Sequence, residues 1–459
     1  MEPSPALSPW RKEIGATLQL AAPLALANLL QMAVYASDVI FVAHLGQDAL
    51  AASSLAVSIF ALVNWGLVGL TGSVAPLIAA ELGGKLHSVR EVRRTIRMAL
   101  WLALVCAIAG MVICHFGEAL MLATGQNPQI AAQSQAFLSL LSLALLPMIV
   151  GNVLRMFVSA MGHPVFATVI TAGAIVINVI GNLAFVYGYF GAPALGLQGS
   201  ALASVITGAL TMIAYIVTIQ ANRRMRRTHI WGRWWRPEWQ RLRQMVRLGV
   251  PIALTIVAEG GLFGSAAYIM GNIGPAQLAA HAIALQIAAF FFQIPYGIGQ
   301  GATIRVGWHF GAGDKQGIAH AGRAALLLCL IFQIIAAGIM LLAPRMLISA
   351  YVDIRAPGNA VMISLALQYL VVAAAFQLFD GFQTVAAGAL RGLQDTRMPM
   401  VIALCGYWLA GFTTALGLGL ATPLQGLGVW LGLMTGLVVV AALLLWRWHR
   451  RADKGLLPV

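Results

Sequence analysis

The sequence contains few charged residues and none of the short motifs that mark common membrane enzymes. Of its 459 residues only 9% are charged and 60% are hydrophobic, and the mean hydropathy is +0.86. A water-soluble domain does not need this much apolar sequence, so we expect most of the chain to lie in lipid. HExxH, GxSxG and Walker A sequences are absent. Their absence argues against membrane hydrolases and ATP-driven pumps, and we expect no enzymatic activity.

Cysteine is also scarce. The four cysteines, Cys106, Cys114, Cys329 and Cys405, all fall in apolar stretches and have no paired spacing. This pattern predicts small core residues rather than disulfides or a metal site. The nine histidines are scattered without the spacing of metal ligands. We therefore expect no cofactor other than a coupling ion.

The apolar sequence divides into twelve stretches that could each cross a bilayer, which takes about 20 residues. The backbone must satisfy its own hydrogen bonds in lipid, so long uninterrupted runs predict helices rather than a barrel. The fold class is therefore predicted to be an all-α integral membrane protein. The stretches lie near 17–43, 49–80, 96–116, 131–154, 165–189, 195–220, 248–272, 277–304, 324–343, 359–389, 399–420 and 425–446.

Basic residues are concentrated in alternate connections. Of the 28 Lys and Arg residues, all but Arg345 and Arg355 fall in the termini or in every second connection. The positive-inside rule then predicts a multi-pass protein with both termini in the cytoplasm. The polar N-terminus has no apolar core of the kind found in cleaved signal peptides. The net charge of +14 is thus a topology signal with anionic membrane lipid as partner, and we expect no nucleic acid binding.

The longest polar interruption divides the chain into two halves of six spans each. We predict an N-terminal six-helix lobe at 1–222, a cytoplasmic linker at 223–246 and a C-terminal six-helix lobe at 247–459. The linker mixes four tryptophans with arginines, a composition typical of a segment lying on the inner leaflet.

The two halves resemble each other under a shift of 228 positions. This shift places Pro23 on Pro251 and Gly46 on Gly274. A six-span repeat keeps its orientation in the membrane, so a pseudo-two-fold axis along the membrane normal should relate the lobes. Transporters built in this way bind substrate near the midplane and move one bundle against the other.

Three acidic residues, Asp38, Glu259 and Asp380, lie within the apolar stretches. A carboxylate at the centre of a bilayer costs about 2.5–3.5 kcal/mol on insertion scales, so such residues usually face a polar cavity. We therefore interpret all three as candidate cation-coupling residues of a transporter. A buried polar network without a transport role is the alternative.

Polar side chains accompany Asp38 in the first half. Spacings of 3, 4 and 3 residues place Asn28, Gln31, Tyr35 and Asp38 on one helix face. The fifth span adds two asparagines one turn apart, which either join helices or supply oxygen ligands. The candidate cavity residues of this half are Asn28, Gln31, Tyr35, Asn178 and Asn182.

The second half has its own polar set around Glu259 and Asp380. Carboxylate, amide and hydroxyl oxygens suit Na⁺, in which case both acids would be metal ligands. They equally suit a shared proton. The residues alone do not distinguish Na⁺ from H⁺ as the bound cation. The other candidate cavity residues here are Thr255, Phe263, Gln286, Phe292 and Gln377.

Several stretches resemble the multidrug and toxic compound extrusion (MATE) family, especially its NorM-type bacterial branch. APLALANLLQMAVYASDVIFVAHLG resembles the family's first helix and GVPIALTIVAEGGLFGSAAYIMGNIG its seventh. FQLFDGFQTVAAGALRGLQDTRMPM resembles the tenth helix and the segment after it. NVIGNLAFVYG followed by GLQGSALAS resembles the connection between the fifth and sixth helices. The similarity extends over essentially the whole chain.

The resemblance implies export of organic cations and drugs by alternating access in exchange for Na⁺ or H⁺. Glu259 and Asp380 would form the cation site of the C-terminal lobe. Asp38 would form the N-lobe cluster with Asn178 and Asn182. The resemblance also implies the bacterial cytoplasmic (inner) membrane, and we expect a monomer.

Two further features follow from the resemblance. Gln31 would lie beside the N-lobe cluster and face substrate, and Phe263 or Phe376 could offer an aromatic face to a cation. The alternative function is a lipid-linked precursor flippase of the same superfamily. A flippase needs cationic residues in its cavity to hold a pyrophosphate, whereas these spans contain acids and almost no Lys or Arg.

Overall fold

The computed structural model describes residues 9–84, 89–232 and 234–458. These residues form helices joined by short connections, and no strand occurs among them. The prediction of an all-α protein is confirmed. The positive-inside rule also places Lys85 and Arg233 on the cytoplasmic side, and both lie outside the described residues.

The helices follow the apolar stretches, usually with a few polar residues added at the ends. In the first half of the chain they are α1 (Pro9–Ala43), α2 (Gln47–Thr71), α3 (Val74–Gly84), α4 (Val89–His115), α5 (Gly117–Ala123), α6 (Pro128–Ser142), α7 (Leu145–Ala160), α8 (Val165–Tyr187), α9 (Leu197–Ala221) and α10 (Arg223–Arg226). In the second half they are α11 (Trp239–Ile273), α12 (Pro275–Gly311), α13 (Lys315–Leu342), α14 (Pro344–Ser349), α15 (Ala360–Gly392), α16 (Arg397–Leu404), α17 (Thr413–Leu420) and α18 (Gly426–His449).

Three short helical segments of other types complete the described structure. Two are 3₁₀ turns at Tyr189–Gly191 and Pro357–Asn359. The third is a π-helix at Cys405–Phe412 that joins α16 to α17 within one span. A π-helix is rare and often occurs at functional sites.

Eleven helical segments of the described residues are long and apolar enough to cross a membrane. The pair α6 and α7 would be a twelfth span and is bent by 42° at a short break. This pair contains the predicted span at 131–154. Pro147 lies in the first turn of α7, where a proline removes no intrahelical hydrogen bond, so the break accommodates it. With this bent span, the predicted number of twelve is reached.

The helices form two compact units. One comprises the described residues of Met1–Ala25 together with Leu254–Val459, and the other comprises Leu26–Ala253. We call them the C-unit and the N-unit. The lobe boundaries at 222 and 247 and the pseudo-two-fold axis stay predictions.

The linker of the N-unit packs onto the rest of that unit through charges and aromatic rings. Arg241 forms ion pairs with Glu81 at 2.8 Å and with Glu91 at 2.5 Å. Trp234 stacks on Trp101 of α4, with ring centroids 5.5 Å apart. Trp235, in contrast, is 78% exposed. Part of the linker is therefore attached to the helices, and part presents aromatic surface outward.

The C-unit is built around close contact between α12 and α15. A Cβ atom added to Gly388 would lie only 2.4 Å from the carbonyl oxygen of Gly299. The hydroxyl of Thr303 donates a hydrogen bond of 2.8 Å to the Gly388 carbonyl. Small residues let the two backbones approach, as they do between many membrane helices.

The end of α12 is held to the start of α1 within the same unit. Arg305 donates two hydrogen bonds of 2.8 Å to the carboxylate of Glu13. His309 lies between Glu13 and Asp314, at 3.3 and 3.0 Å. Asp314 also caps α13, because it accepts the Gly317 N–H at 2.8 Å, and this bond holds the pKa of the Asp314 carboxyl below its usual range.

Candidate functional site

The acidic centre of the N-unit is a carboxylate with three uncharged donors. Oδ1 of Asp38 accepts hydrogen bonds from Asn178 at 2.9 Å and Asn182 at 2.8 Å. Oδ2 of Asp38 accepts a third from the Ser204 hydroxyl at 2.8 Å. The structure thus brings together Asp38 and the two predicted asparagines, and it adds a serine that the sequence reading missed.

Tight packing between α8 and α9 places these donors. A Cβ atom on Gly199 would lie 2.1 Å from the carbonyl oxygen of Phe185, and one on Gly181 would lie 3.0 Å from the Cβ atom of Ala203. Both asparagine side chains are fully buried one turn apart on α8. The glycines therefore allow Ser204 on α9 to reach the carboxylate from the neighbouring helix.

The rest of the first polar stripe makes different contacts. Asn28 accepts a hydrogen bond from the guanidinium of Arg155 on α7. Gln31 hydrogen-bonds to Tyr35, whose side chain is 45% exposed. Tyr35 also interacts electrostatically with both Asp38 and Arg155. The stripe thus runs from an acidic end at Asp38 to an arginine that the sequence reading had treated only as a cytoplasmic charge.

The acidic centre of the C-unit joins two carboxylates through one amide. The side-chain nitrogen of Gln383 donates to Oε1 of Glu259 at 2.9 Å and to Oδ1 of Asp380 at 3.2 Å. Asp380 and Gln383 are nearly fully buried on α15. The predicted pair of acids therefore meets in space, although Glu259 comes from α11.

A tyrosine completes this centre from a third helical segment. The hydroxyl of Tyr407 in the π-helix donates to Oε1 of Gln383 at 2.7 Å. Arg391, near the end of α15, interacts electrostatically with Glu259 and Tyr407. Three residues that the sequence reading did not select, Gln383, Tyr407 and Arg391, thus surround the two predicted acids.

Two of the predicted aromatic residues of the C-unit pack against other rings. Phe263 contacts Phe376 edge-on with ring centroids 6.0 Å apart. Phe292 stacks on Tyr296 at 5.8 Å. Aromatic packing therefore accounts for both side chains in this structure.

The predicted polar residues of the C-unit fall in different places. Gln377 is fully buried and donates to the Ala288 carbonyl at 2.6 Å, so its amide joins α15 to α12. Thr255 is buried on α11, and Gln286 is exposed on α12.

The carboxylates of the two centres are held by the same kinds of hydrogen-bond donor. Asp38, Glu259 and Asp380 accept hydrogen bonds from amide or hydroxyl groups. Neutral donors stabilise a carboxylate without cancelling its charge. Each centre can therefore attract a cation, and the oxygen atoms present suit either a proton or a hard metal ion.

A family model matches the chain twice. The model named MatE matches residues 23–184 and again 251–416. The matches begin at Pro23 and Pro251, the two prolines that the internal repeat aligns. The repeat seen in the sequence is thus also a repeat of the family's own unit.

Relatives with similar sequences extend over nearly the full length. A probable multidrug resistance protein NorM from Mesorhizobium japonicum is 43% identical over 442 residues, which cover 96% of this chain and 95% of that protein. The multidrug resistance protein NorM of Burkholderia vietnamiensis is 37% identical and covers 95% of this chain and 94% of its own.

Solved structures of low sequence identity share the fold. The crystal structure of the eukaryotic MATE transporter AtDTX14 superposes with a TM-score of 0.86 at 19% identity and covers 97% of this chain and 98% of its own. An outward-facing multidrug resistance MATE transporter gives 0.86 at 18% identity, with 97% of each chain covered. Together with the family model and the NorM relatives, these matches show that the chain belongs to the MatE (MATE) family of multi-pass membrane transporters and is not an enzyme.

Proposed function

We propose that this chain exports organic cations and drugs across the bacterial cytoplasmic membrane in exchange for Na⁺ or H⁺. The observation that carries the proposal is the C-unit centre, in which Glu259 and Asp380 share one uncharged donor inside a bundle of apolar helices. Two acids held this close bind a cation readily, because it relieves their mutual repulsion. The names of the NorM relatives support drugs as the exported class.

Competition for negative charge couples the two movements. A cationic drug entering from the cytoplasm or inner leaflet associates with an ionised carboxylate. The coupling cation then occupies the carboxylates in the outward-open state, and the drug leaves. Because both ligands bias the same alternating-access equilibrium, each lowers the other's affinity by the same factor. Asp38 in the N-unit is a second carboxylate that can take part.

The apolar side of drug recognition is assigned to flexible and aromatic side chains. The chain contains 18 methionines, whose unbranched side chains adapt to ligands of different shape. Phe263 is only partly buried and is therefore the aromatic face assigned to a drug, whereas Phe376, on which it packs, is fully buried. An aromatic face stabilises a cation by about 0.5–2 kcal/mol, which is enough to assist binding but not to define one substrate.

The arginines near the two acidic centres give little support to the flippase alternative. Arg155 donates to Asn28, and Arg391 interacts electrostatically with Glu259. Both are engaged with residues of the acidic or polar stripes. A site for a pyrophosphate would instead need several cations directed at the ligand.

The distribution of basic residues indicates how the chain is oriented in the membrane. We assign both termini and the Arg-rich linker to the cytoplasmic side, where arginines face anionic lipid. Trp239 is 70% exposed at the start of α11, a position that suits an aromatic anchor at the interface. One chain contains both acidic centres, and the working unit is taken as a monomer.

Export can be tested in bacterial cells that lack their own drug pumps. Cells expressing the wild-type chain should extrude a preloaded fluorescent organic cation faster than cells with an empty vector. The double variant E259Q/D380N should lose this extrusion, because it removes both negative charges of the C-unit centre while keeping similar volumes. Membrane levels of both proteins are measured by immunoblot. Equal extrusion by the variant and the wild type would remove these acids from the mechanism.

A further inference from the structure

We propose that Tyr407 is a positioning residue that sets the cation affinity of the C-unit centre by holding Gln383 in one orientation. The inference rests on the proposed function and extends it to a side chain that does not itself contact the acids. It is carried by the hydrogen-bond chain that runs from Tyr407 through Gln383 to Glu259 and Asp380.

The π-helix that carries Tyr407 is fixed against α18 by glycines. A Cβ atom on Gly406 would lie 2.4 Å from Cγ2 of Val440, and one on Gly411 would lie 3.1 Å from the Cα atom of Gly436. Tyr407 itself is fully buried. The backbone of this segment therefore lies close to α18, and the phenol ring is enclosed by the surrounding helices.

The hydrogen bonds of the Gln383 side chain favour one orientation of its amide group. The Tyr407 hydroxyl gives its single proton to Oε1 of Gln383 at 2.7 Å. The carbonyl end of the amide is thereby held at the tyrosine, and its NH₂ group faces the two acids. The two protons of the amide nitrogen are directed at the two carboxylates, and the Thr384 hydroxyl oxygen is a further acceptor at 3.3 Å.

This orientation makes the Gln383 amide a competitor of the coupling cation. Its N–H groups occupy lone pairs of Glu259 and Asp380 that a cation would use. If the amide turned over, its oxygen would face the acids, which is favourable only with a cation between them. Turning also leaves the buried Tyr407 hydroxyl proton without its acceptor, because the Tyr407 oxygen could then only accept from the amide. The tyrosine therefore keeps the affinity low enough for the cation to leave again.

The test is the variant Y407F in proteoliposomes, with drug exchange measured against the concentration of Na⁺ and of H⁺. Loss of one buried hydrogen bond should lower the half-saturating concentration of the driving cation by about 3- to 10-fold. Maximal turnover should fall because the cation is released more slowly. Because the cation and the drug compete for the same carboxylates, the half-saturating drug concentration should rise at a fixed cation concentration.

The matched control is Y369F. Tyr369 is also fully buried in the C-unit, and its hydroxyl has no hydrogen-bond partner among the described residues. Removing that hydroxyl should leave the cation dependence at the wild-type value. A purely structural effect of Tyr407 would lower activity without moving the half-saturating cation concentration.

A second readout separates this inference from the proposed function. Thermal unfolding of purified protein is followed in detergent while Na⁺ or pH is titrated, without any drug. The midpoint of cation-induced stabilisation should shift to lower cation concentration in Y407F, and also in Q383L, which removes the competing amide. An unshifted midpoint in Y407F would overturn the inference, whatever the midpoint of Q383L. Absence of drug exchange in the wild type would instead contradict the proposed function.

Discussion

The Asp38 carboxylate is stabilised by hydrogen bonds from several neutral donors. Asp38 accepts two amide hydrogen bonds and one hydroxyl hydrogen bond. Hydrogen bonds to a charged group contribute about 1.5–3 kcal/mol each, so three of them offset much of the cost of burial. The negative charge remains available to a ligand.

The substitution D38N tests whether that charge is needed. Asparagine has nearly the same volume and can keep some of the hydrogen bonds, so the protein should fold and reach the membrane. Export of a fluorescent organic cation should fall about tenfold or more, because the charge that attracts the cation is gone. Initial export rates in cells measure the effect.

The control for this prediction is D48N. Asp48 is an exposed aspartate in the first turn of α2, close to Asp38 in sequence. Its removal should leave the export rate within twofold of the wild type, roughly as expected for a surface charge. If D38N exports as fast as D48N, the N-unit carboxylate has no part in transport.

How far the sites could be predicted differed from residue to residue. Asp38, Asn178 and Asn182 were found because acids and amides are conspicuous in apolar helices. Gln383 was accessible by the same reasoning, since it follows Asp380 by three residues on one helix face. Tyr407 was not, because no acid or amide accompanies it in the apolar stretch 399–420 and the π-helix changes which residues face inward.

At the scale of the helix, close backbone contact decides where the acids lie. Asp380 and Gln383 belong to α15, and the position of α15 depends on its contact with α12 at Gly388 and Gly299. Membrane helices gain little from the hydrophobic effect once inserted, so their association relies on such packing. A larger side chain at the contact must push the helices apart.

The substitution G388A should therefore destabilise the protein. Overpacking a tight contact typically costs about 1–3 kcal/mol, which should lower the apparent melting temperature in detergent by several degrees. G338A is the matched control on α13, where an added Cβ atom has nothing within 4 Å. There the change should be neutral or slightly stabilising. A melting temperature for G388A equal to that of G338A would contradict the packing account.

Hydropathy predicted the helices but not their irregularities. A window average responds to composition, and it located the apolar runs that became spans. It could not register the 42° bend between α6 and α7 or the π-helix after α16, since both are changes in hydrogen bonding. Nor could it tell which linker tryptophans pack inward, because Trp234 and Trp235 are neighbours in the same basic segment.

At the scale of the whole molecule, the repeat retained the fold but not the acidic residues. The shift of 228 positions places Glu259 on Gln31 and Asp380 on Asn152, while Asp38 falls on Ala266. The family model still matches both halves. The halves have therefore kept a common framework of helices while each acquired its own carboxylate centre.

The central claim is that a cation gradient drives drug export through these centres. The most direct measurement uses purified protein in liposomes loaded with a fluorescent organic cation, with a Na⁺ gradient and a pH gradient imposed separately. We expect at least one gradient to accelerate dye movement by the wild type, and no acceleration by E259Q/D380N. Dye movement by the wild type at the same rate with and without both gradients would contradict the account.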